Sequence, residues 1–112
     1  MNTHESYVSL ETAKMLKEAG FDWKCFYSTN GIWQPSLYVA QRWLREVKGI
    51  HITVKADAAS IDCKYFVTIV ISDTKWGNVQ DENKKTILFN TYEEAQEAGI
   101  QKCLTILLED RL

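Results

Sequence analysis

Four polar and aromatic residues, spaced as on one side of a helix, are the strongest candidates for binding chemistry. They are Tyr38, Gln41, Arg42 and Arg45. Arginine suits bidentate contacts with phosphate or guanine, and a tyrosine ring can stack on a base, so this pattern predicts a nucleic-acid contact. The structural alternative is an ordinary solvated helix face, in which Arg42 pairs with Glu46 one turn later.

Two tryptophans beside turn signals are candidates for a protein contact. Trp33 follows Asn30-Gly31, and Trp76 directly precedes Gly77. Exposed tryptophan is enriched at protein interfaces, so two such rings on connections would indicate a protein partner or a homo-oligomer. The alternative is that each ring packs over an edge of the core. The first interpretation alone requires an exposed apolar patch on the order of a few hundred Å².

The residues that could carry catalysis or hold a metal are few and far apart. They are His4, His51, Cys25, Cys63 and Cys103. None stands at a zinc-ligand spacing such as C-x-x-C or H-x-x-H, and the glycines are isolated, so no phosphate-binding loop is indicated. We therefore expect no enzyme, no catalytic residue, no metal, no cofactor and no small-molecule ligand. A cysteine that the fold brings beside His51 is the open alternative, because a thiolate next to a histidine is a nucleophile.

The central helix and strand that position these residues span residues 35–55. Pro35 and Ser36 suit the start of a helix, and Gly49 suits its left-handed end. The hydrophobic period then changes from helical to alternating, which predicts a strand at residues 50–55 with one wet face. The apolar side of the helix consists of Leu37, Ala40, Trp43, Leu44 and Val47.

A helix and a short hairpin are predicted before this central unit. The helix covers residues 9–19 and ends in a glycine cap, onto which Phe21 folds back. An aromatic-rich strand is predicted at residues 23–28. After the Asn-Gly turn, a brief strand follows at residues 32–34.

Two strands and a helix are predicted after the central unit. Residues 64–72 are apolar on both faces, so this strand should lie centrally in the sheet. Residues 73–84 are read as a long polar connection, and residues 85–89 as a further strand. The last helix begins with a capping box at residues 91–94 and runs to about residue 109. Gly99 lies on its apolar face, where its expected role is a close approach to the sheet.

Composition and element order together predict one α+β domain over residues 1–112. Hydrophobic residues make up 46% and charged residues 25%, as in ordinary globular proteins. The elements run α-β-(β)-α-β-β-β-α, which favours three helices on one face of a mainly antiparallel sheet of three to five strands. The net charge of −2 argues against a protein that coats nucleic acid, although a local basic patch is compatible with it.

The apolar segments and the cysteines predict a cytoplasmic protein that does not enter a membrane. The longest apolar run, residues 66–71, is far too short to span a bilayer. The first residues lack the basic and apolar regions of a signal peptide. Three cysteines, an odd number, favour free thiols in a reducing compartment.

Three segments carry a resemblance that covers nearly the whole chain. They are SLETAKMLKEAGFD at residues 9–22, PSLYVAQRWLREVKGIHITV at 35–54 and YEEAQEAGIQKCLTILLE at 92–109. Together they resemble a family of small uncharacterised proteins that are frequent in gut Bacteroidetes and in their phages and mobile elements. The resemblance implies a bacterial or phage accessory gene, and it implies no activity, cofactor or catalytic residue.

Two functions from different classes follow from these patterns. The first is a small non-enzymatic interaction module that binds a protein partner or itself, with Trp33 and Trp76 as candidate contacts. The second is a nucleic-acid-binding accessory protein that uses the basic side of the central helix. Only the second function requires an affinity that falls steeply with salt and depends on Arg42 and Arg45.

Overall fold

In the part of the chain that the structure describes, the fold combines three helices with two antiparallel sheets. The computed structural model describes residues 6–59, 61–72 and 75–109. The helices are α1 (Leu10–Glu18), α2 (Leu37–Lys48) and α3 (Tyr92–Glu109). The strands are β1 (Ser28–Thr29), β2 (Ile32–Trp33), β3 (His51–Ala56), β4 (Tyr65–Val70) and β5 (Trp76–Asn78). The predicted α+β class and the predicted order of elements are confirmed.

The smaller sheet is the hairpin of β1 and β2, and its register is set by the Asn30-Gly31 turn. Both turn residues have positive φ, 53° and 79°, which is the geometry that an Asn-Gly pair favours in a two-residue hairpin turn. The turn therefore places Ser28 opposite Trp33.

The larger sheet has the order β3-β4-β5, with both pairs antiparallel. The central position of β4 confirms the expectation from its apolar residues on both faces. α3 packs against β4 and β3, and also contacts α1 and α2. Gly99 of α3 faces this sheet, and a Cβ placed there would lie 2.7 Å from Val67 Cγ2. The predicted close approach of α3 to the sheet at Gly99 is therefore confirmed.

The ends of the helices follow local chemistry. Ser36 Oγ accepts a hydrogen bond from the Val39 N–H at 3.1 Å, and Gly49 ends α2 in the left-handed conformation. At the end of α1, the N–H of Phe21 donates to the carbonyl of Leu16 at 2.9 Å, and Phe21 is buried. Val47 shares the apolar side of α2 but is half-exposed.

The predicted strand at residues 23–28 is wrong except at its last residue. Only Ser28 belongs to a strand, and residues 23–27 lie outside the strands. One further bond, from the Gln34 N–H to the Tyr27 carbonyl at 2.9 Å, prolongs the hairpin. Pro35 follows directly and has no N–H to donate, so the pairing stops there.

The third strand of the larger sheet also differs from its prediction. Trp76 and Gly77 belong to β5 and not to a connection, while residues 85–89 contribute only isolated bridges, Gln80 with Thr86 and Tyr65 with Phe89. Between Gln80 and Thr86 the chain makes a turn. Asp81 Oδ1 accepts bonds from the N–H groups of Asn83 and Lys85, which fold the chain back before it rejoins β4. Residues 73 and 74 of the predicted connection lie outside the described residues.

The described helices differ in length and apolar character. No helix within residues 6–59, 61–72 and 75–109 is both long enough and apolar enough to cross a bilayer. The longest of the three, α3, packs on the sheet and on both other helices.

Candidate functional site

The predicted basic side of α2 holds three exposed residues, Tyr38, Arg42 and Arg45. Tyr38 is 61% exposed. Arg42 is engaged within the protein, since its Nε lies 2.5 Å from Glu46 Oε2 and its guanidinium carbon lies 5.8 Å from the centroid of the Trp23 ring. The pair one turn apart, which the structural alternative required, is therefore present, and it offsets one of the two positive charges.

Gln41 belongs to a junction inside the protein, not to this exposed row. Its Nε2 donates to the carbonyl of Ile52 at 2.8 Å. Its Oε1 accepts a hydrogen bond from Nε2 of Gln96 at 2.7 Å, and Gln96 is buried. One side chain thus connects α2 to β3 and to α3, so the structure separates Gln41 from the arginines.

The two tryptophans lie on different sheets and form no common patch. Trp33 of β2 is partly covered and, with Lys17 and Phe21, lines a recess of about 210 Å³. Trp76 begins β5 and is 70% exposed. Of the two rings, Trp76 is therefore the better candidate for a contact.

A second exposed aromatic group was missed by the sequence patterns. It consists of Tyr7, Phe26 and Tyr27, and we call it the aromatic surface. Phe26 is 96% exposed. The rings of Tyr7 and Tyr27 meet edge to face, with 4.7 Å between their centroids. One signal was present in the sequence: within the aromatic-rich segment, Phe26 takes the same phase as the polar Lys24, which is the outward phase.

A recess of about 430 Å³ opens directly beside Phe26. Its lining consists of Tyr7, Lys24, Cys25, Phe26, Pro35, Ser36 and Val39. The lining is mainly apolar, and among these described residues Lys24 alone carries a charge. The exposed ring of Phe26 therefore lies beside an apolar recess on the same surface.

Hydrogen bonds hold the wall of this recess at which the N-terminal segment meets the start of α2. The Val8 N–H donates to the Pro35 carbonyl at 3.0 Å, and the Leu37 N–H donates to the Ser6 carbonyl at 2.8 Å. The Gln34 side chain also donates to the Val8 carbonyl, at 2.8 Å. The recess is therefore built into the junction between the N-terminal segment and the start of α2.

Burial disfavours ionisation of two of the three thiols, Cys25 and Cys103. Burial raises the pKa of Cys25, whose Sγ donates to the Trp23 carbonyl at 3.3 Å. Burial raises the pKa of Cys103 to about 12. Cys63 is exposed. A raised pKa keeps a thiol protonated at neutral pH and opposes its use as a nucleophile.

The histidines do not join a site in the described part of the chain. His51 lies on the exposed side of β3 and is absent from the lining of the recess that contains Cys25. His4 lies outside the described residues. Across residues 6–59, 61–72 and 75–109, no three His, Cys, Asp or Glu side chains come together as a metal would require.

The two exposed surfaces differ in the groups that they present. The aromatic surface offers apolar area, a shaped recess and a single ammonium group, and the exposed side of α2 offers one ring and one unpaired guanidinium among the described side chains. Comparisons with protein-family models, with curated proteins and with solved structures found no match to this chain.

Proposed function

We propose that the protein is a small non-enzymatic interaction module that associates with a second copy of itself through the aromatic surface. The observation that carries the proposal is Phe26, which is 96% exposed at the rim of a recess of about 430 Å³. Burying a phenylalanine side chain contributes about 1.5–3 kcal/mol. An exposed ring of this kind is therefore better explained by a contact than by folding.

Self-association is favoured because the ring and the recess lie side by side on one surface. In a two-fold symmetric dimer the same patch is used by both subunits, so a patch must be complementary to itself. Rotation about an axis next to Phe26 would place each ring in the recess of the other subunit. Tyr7 and Tyr27 would then flank the two rings.

The charges near the recess are compatible with this arrangement. Lys24 is exposed, and its long side chain can keep its ammonium in water while its methylene groups pack. The net charge of −2 gives only weak repulsion between two copies. Because few apolar side chains are involved, we expect a dimer with a dissociation constant in the micromolar range, about 10–300 μM.

The test is sedimentation velocity from about 10 μM to about 1 mM protein, a range that brackets this dissociation constant. A reducing agent is present, so that a disulfide between exposed thiols is not read as association. The variant is Phe26→Ser. The matched control is Ile61→Ser, because Ile61 is 97% exposed and lines none of the recesses described above.

The expected result is a concentration-dependent dimer in the wild type and in Ile61→Ser. Phe26→Ser should stay monomeric over the same range while keeping the wild-type thermal midpoint, because its side chain contributes little to the core. A wild-type protein that is monomeric throughout would overturn the proposal, as would a Phe26→Ser variant that dimerises like the wild type.

Nucleic-acid binding through Tyr38, Arg42 and Arg45 is the alternative proposal, with weaker support. Tyr38 and Arg45 are exposed on one side of α2, but Glu46 offsets Arg42 and Gln41 is engaged elsewhere. Fluorescence anisotropy of labelled DNA and RNA at about 50 mM and about 150 mM salt separates the two proposals. Salt-sensitive binding that is lost in Arg42→Ala/Arg45→Ala and kept in Phe26→Ser would favour the alternative.

A further inference from the structure

The outer strand β5 has one edge that no other described strand pairs with. Within residues 6–59, 61–72 and 75–109, β5 pairs with β4 alone, with Gly77 opposite Ile69. The Ile71 N–H donates to the Lys75 carbonyl at 2.8 Å, so the odd-numbered residues of this strand direct their backbone groups at β4. By the alternation of an antiparallel ladder, the N–H and C=O groups of Trp76 and Asn78 point away from the sheet.

The opposite edge of the sheet, formed by β3, differs because a side chain bonds to its outer backbone groups. There, Gln41 of α2 donates to the carbonyl of Ile52, which lies on the outer side of β3. Within the described residues no comparable side-chain bond reaches the backbone of Trp76 or Asn78. β5 is thus the edge at which an added strand would find free partners.

A groove runs along this edge, between β5 and α3. Its volume is about 450 Å³, and Ile69, Ile71 and Ile106 form its apolar floor. Gly77 contributes no side chain, and a Cβ built there would meet nothing within 4 Å. The groove therefore has room for an apolar side chain that the protein itself does not supply.

The charged groups of the groove have one sign. Lys75 lies two residues before Gly77, and Lys102 lies one turn before Ile106 on α3. None of the described residues that line the groove is acidic. Two ammonium groups beside an apolar floor select a ligand that is apolar at one point and negative next to it.

We propose that the β5 edge and this groove bind an extended acidic segment of a partner protein by strand addition. The backbone of the segment exchanges hydrogen bonds with Trp76 and Asn78. The residue opposite Gly77 is apolar and enters the groove. An acidic residue two positions away faces Lys75, because side chains two apart on a strand share a face.

A second copy of the chain does not fit the same edge. Pairing two β5 edges would bring Lys75 and Lys102 of both copies together, and the groove has no carboxylate to offset them. The partner is therefore a different, acidic chain. This inference does not rest on self-association, because the aromatic surface and the groove share no residue.

The binding test uses the fluorescein-labelled peptide TETVTET, whose valine would lie opposite Gly77 with a glutamate two positions to either side. Two peptides serve as controls. TKTVTKT reverses the charge. TEPVPET keeps the charge but replaces the two residues that would bond to Trp76 and Asn78 with proline, which has no N–H. Anisotropy is measured at near-physiological salt, about 150 mM.

Two protein variants probe the groove. Gly77→Val fills the space opposite the peptide valine and should fold, because a Cβ at this position meets nothing within 4 Å. It should weaken binding at least about tenfold. Lys75→Gln/Lys102→Gln removes both charges and should weaken binding about fivefold. The matched control is Lys84→Gln/Lys85→Gln, two exposed lysines outside the groove.

Binding of TETVTET with loss in both control peptides and in both groove variants supports the proposal. If TEPVPET binds as well as TETVTET, the contact does not need the backbone hydrogen bonds and strand addition is excluded. Unchanged binding by Gly77→Val would also overturn it, as would no binding of TETVTET at about 1 mM. Phe26→Ser must bind the peptide like the wild type, so failure here is distinct from failure of the dimer.

Discussion

Gly99 of α3 lies so close to Val67 of β4 that a Cβ at position 99 would come within 2.7 Å of Val67 Cγ2 and 3.0 Å of Ile52 Cγ2. Real Cβ atoms essentially never approach a methyl carbon so closely. Both neighbouring side chains are buried and β-branched, so neither can rotate away without strain. The absence of a side chain at this position sets the distance between helix and sheet.

Gly99→Ala should therefore destabilise the protein, although alanine is the better helix former. The gain in helix propensity is about 1 kcal/mol, and overpacking a core costs about 1–3 kcal/mol. We expect a net loss of about 1 kcal/mol in the free energy of unfolding, measured by urea denaturation.

A glycine-to-alanine substitution at position 77 is the control for Gly99→Ala. At Gly77 a Cβ meets nothing within 4 Å, so Gly77→Ala should be neutral or slightly stabilising. The clash can also be relieved from the other side, because Val67→Ala removes the nearest methyl group. A Gly99→Ala/Val67→Ala variant no less destabilised than the sum of its single changes would contradict this account.

Gln41 offers a second test, because its side chain makes a bond in each of two directions. Gln41→Ala leaves the buried Gln96 amide without its partner, and it frees the carbonyl of Ile52. An unsatisfied buried polar group costs about 1–3 kcal/mol. We expect the free energy of unfolding to fall by about 2 kcal/mol.

Arg45→Ala is the matched surface change for Gln41→Ala, because Arg45 is exposed on the same helix. Its effect should stay within about 0.5 kcal/mol. Gln41→Glu separates the two bonds further, since a carboxylate can accept from Gln96 but cannot donate to Ile52. A Gln41→Ala variant as stable as Arg45→Ala would show that the junction is not required for stability.

The central helix could be predicted from sequence because its boundaries are local chemical events. Ser36 caps an amide three residues ahead, and Gly49 takes a conformation that other residues avoid. The central place of β4 followed in the same way, because a strand that is apolar on both faces must be covered on both sides. Both predictions depend on local sequence alone and do not require the identity of the distant segments that pack against each element.

The features that were missed depend on distant partners. Gln41 bonds to residues 11 and 55 positions away, so its helical spacing indicated an exposed row that it does not join. β5 is a strand of three residues, too short for periodicity to detect, and it exists through its pairing with β4.

The raised pKa of Cys103 predicts that the free energy of unfolding falls at alkaline pH. Burial raises its pKa from 9.0 to about 12 in the folded protein. In the unfolded chain the thiol ionises first, so unfolding releases a proton once the pH passes the unfolded value. The stability contributed by the protonated thiol is complete below pH 9 and is lost as the pH rises through the folded value of about 12. The slope cannot exceed about 1.4 kcal/mol per pH unit.

The measurement is the free energy of unfolding between about pH 8 and about pH 11, compared for the wild type and Cys103→Ala, since other groups titrate equally in both. The alanine variant should be less stable at pH 8, because Cys103 is fully buried, and the two curves should converge as the pH rises.

Thiol labelling tests the burial of Cys103 independently. At pH 8, Cys63 should react first, Cys25 more slowly, and Cys103 only at the rate of unfolding. Parallel stability curves, or rapid labelling of Cys103 in the native protein, would place this thiol outside the core.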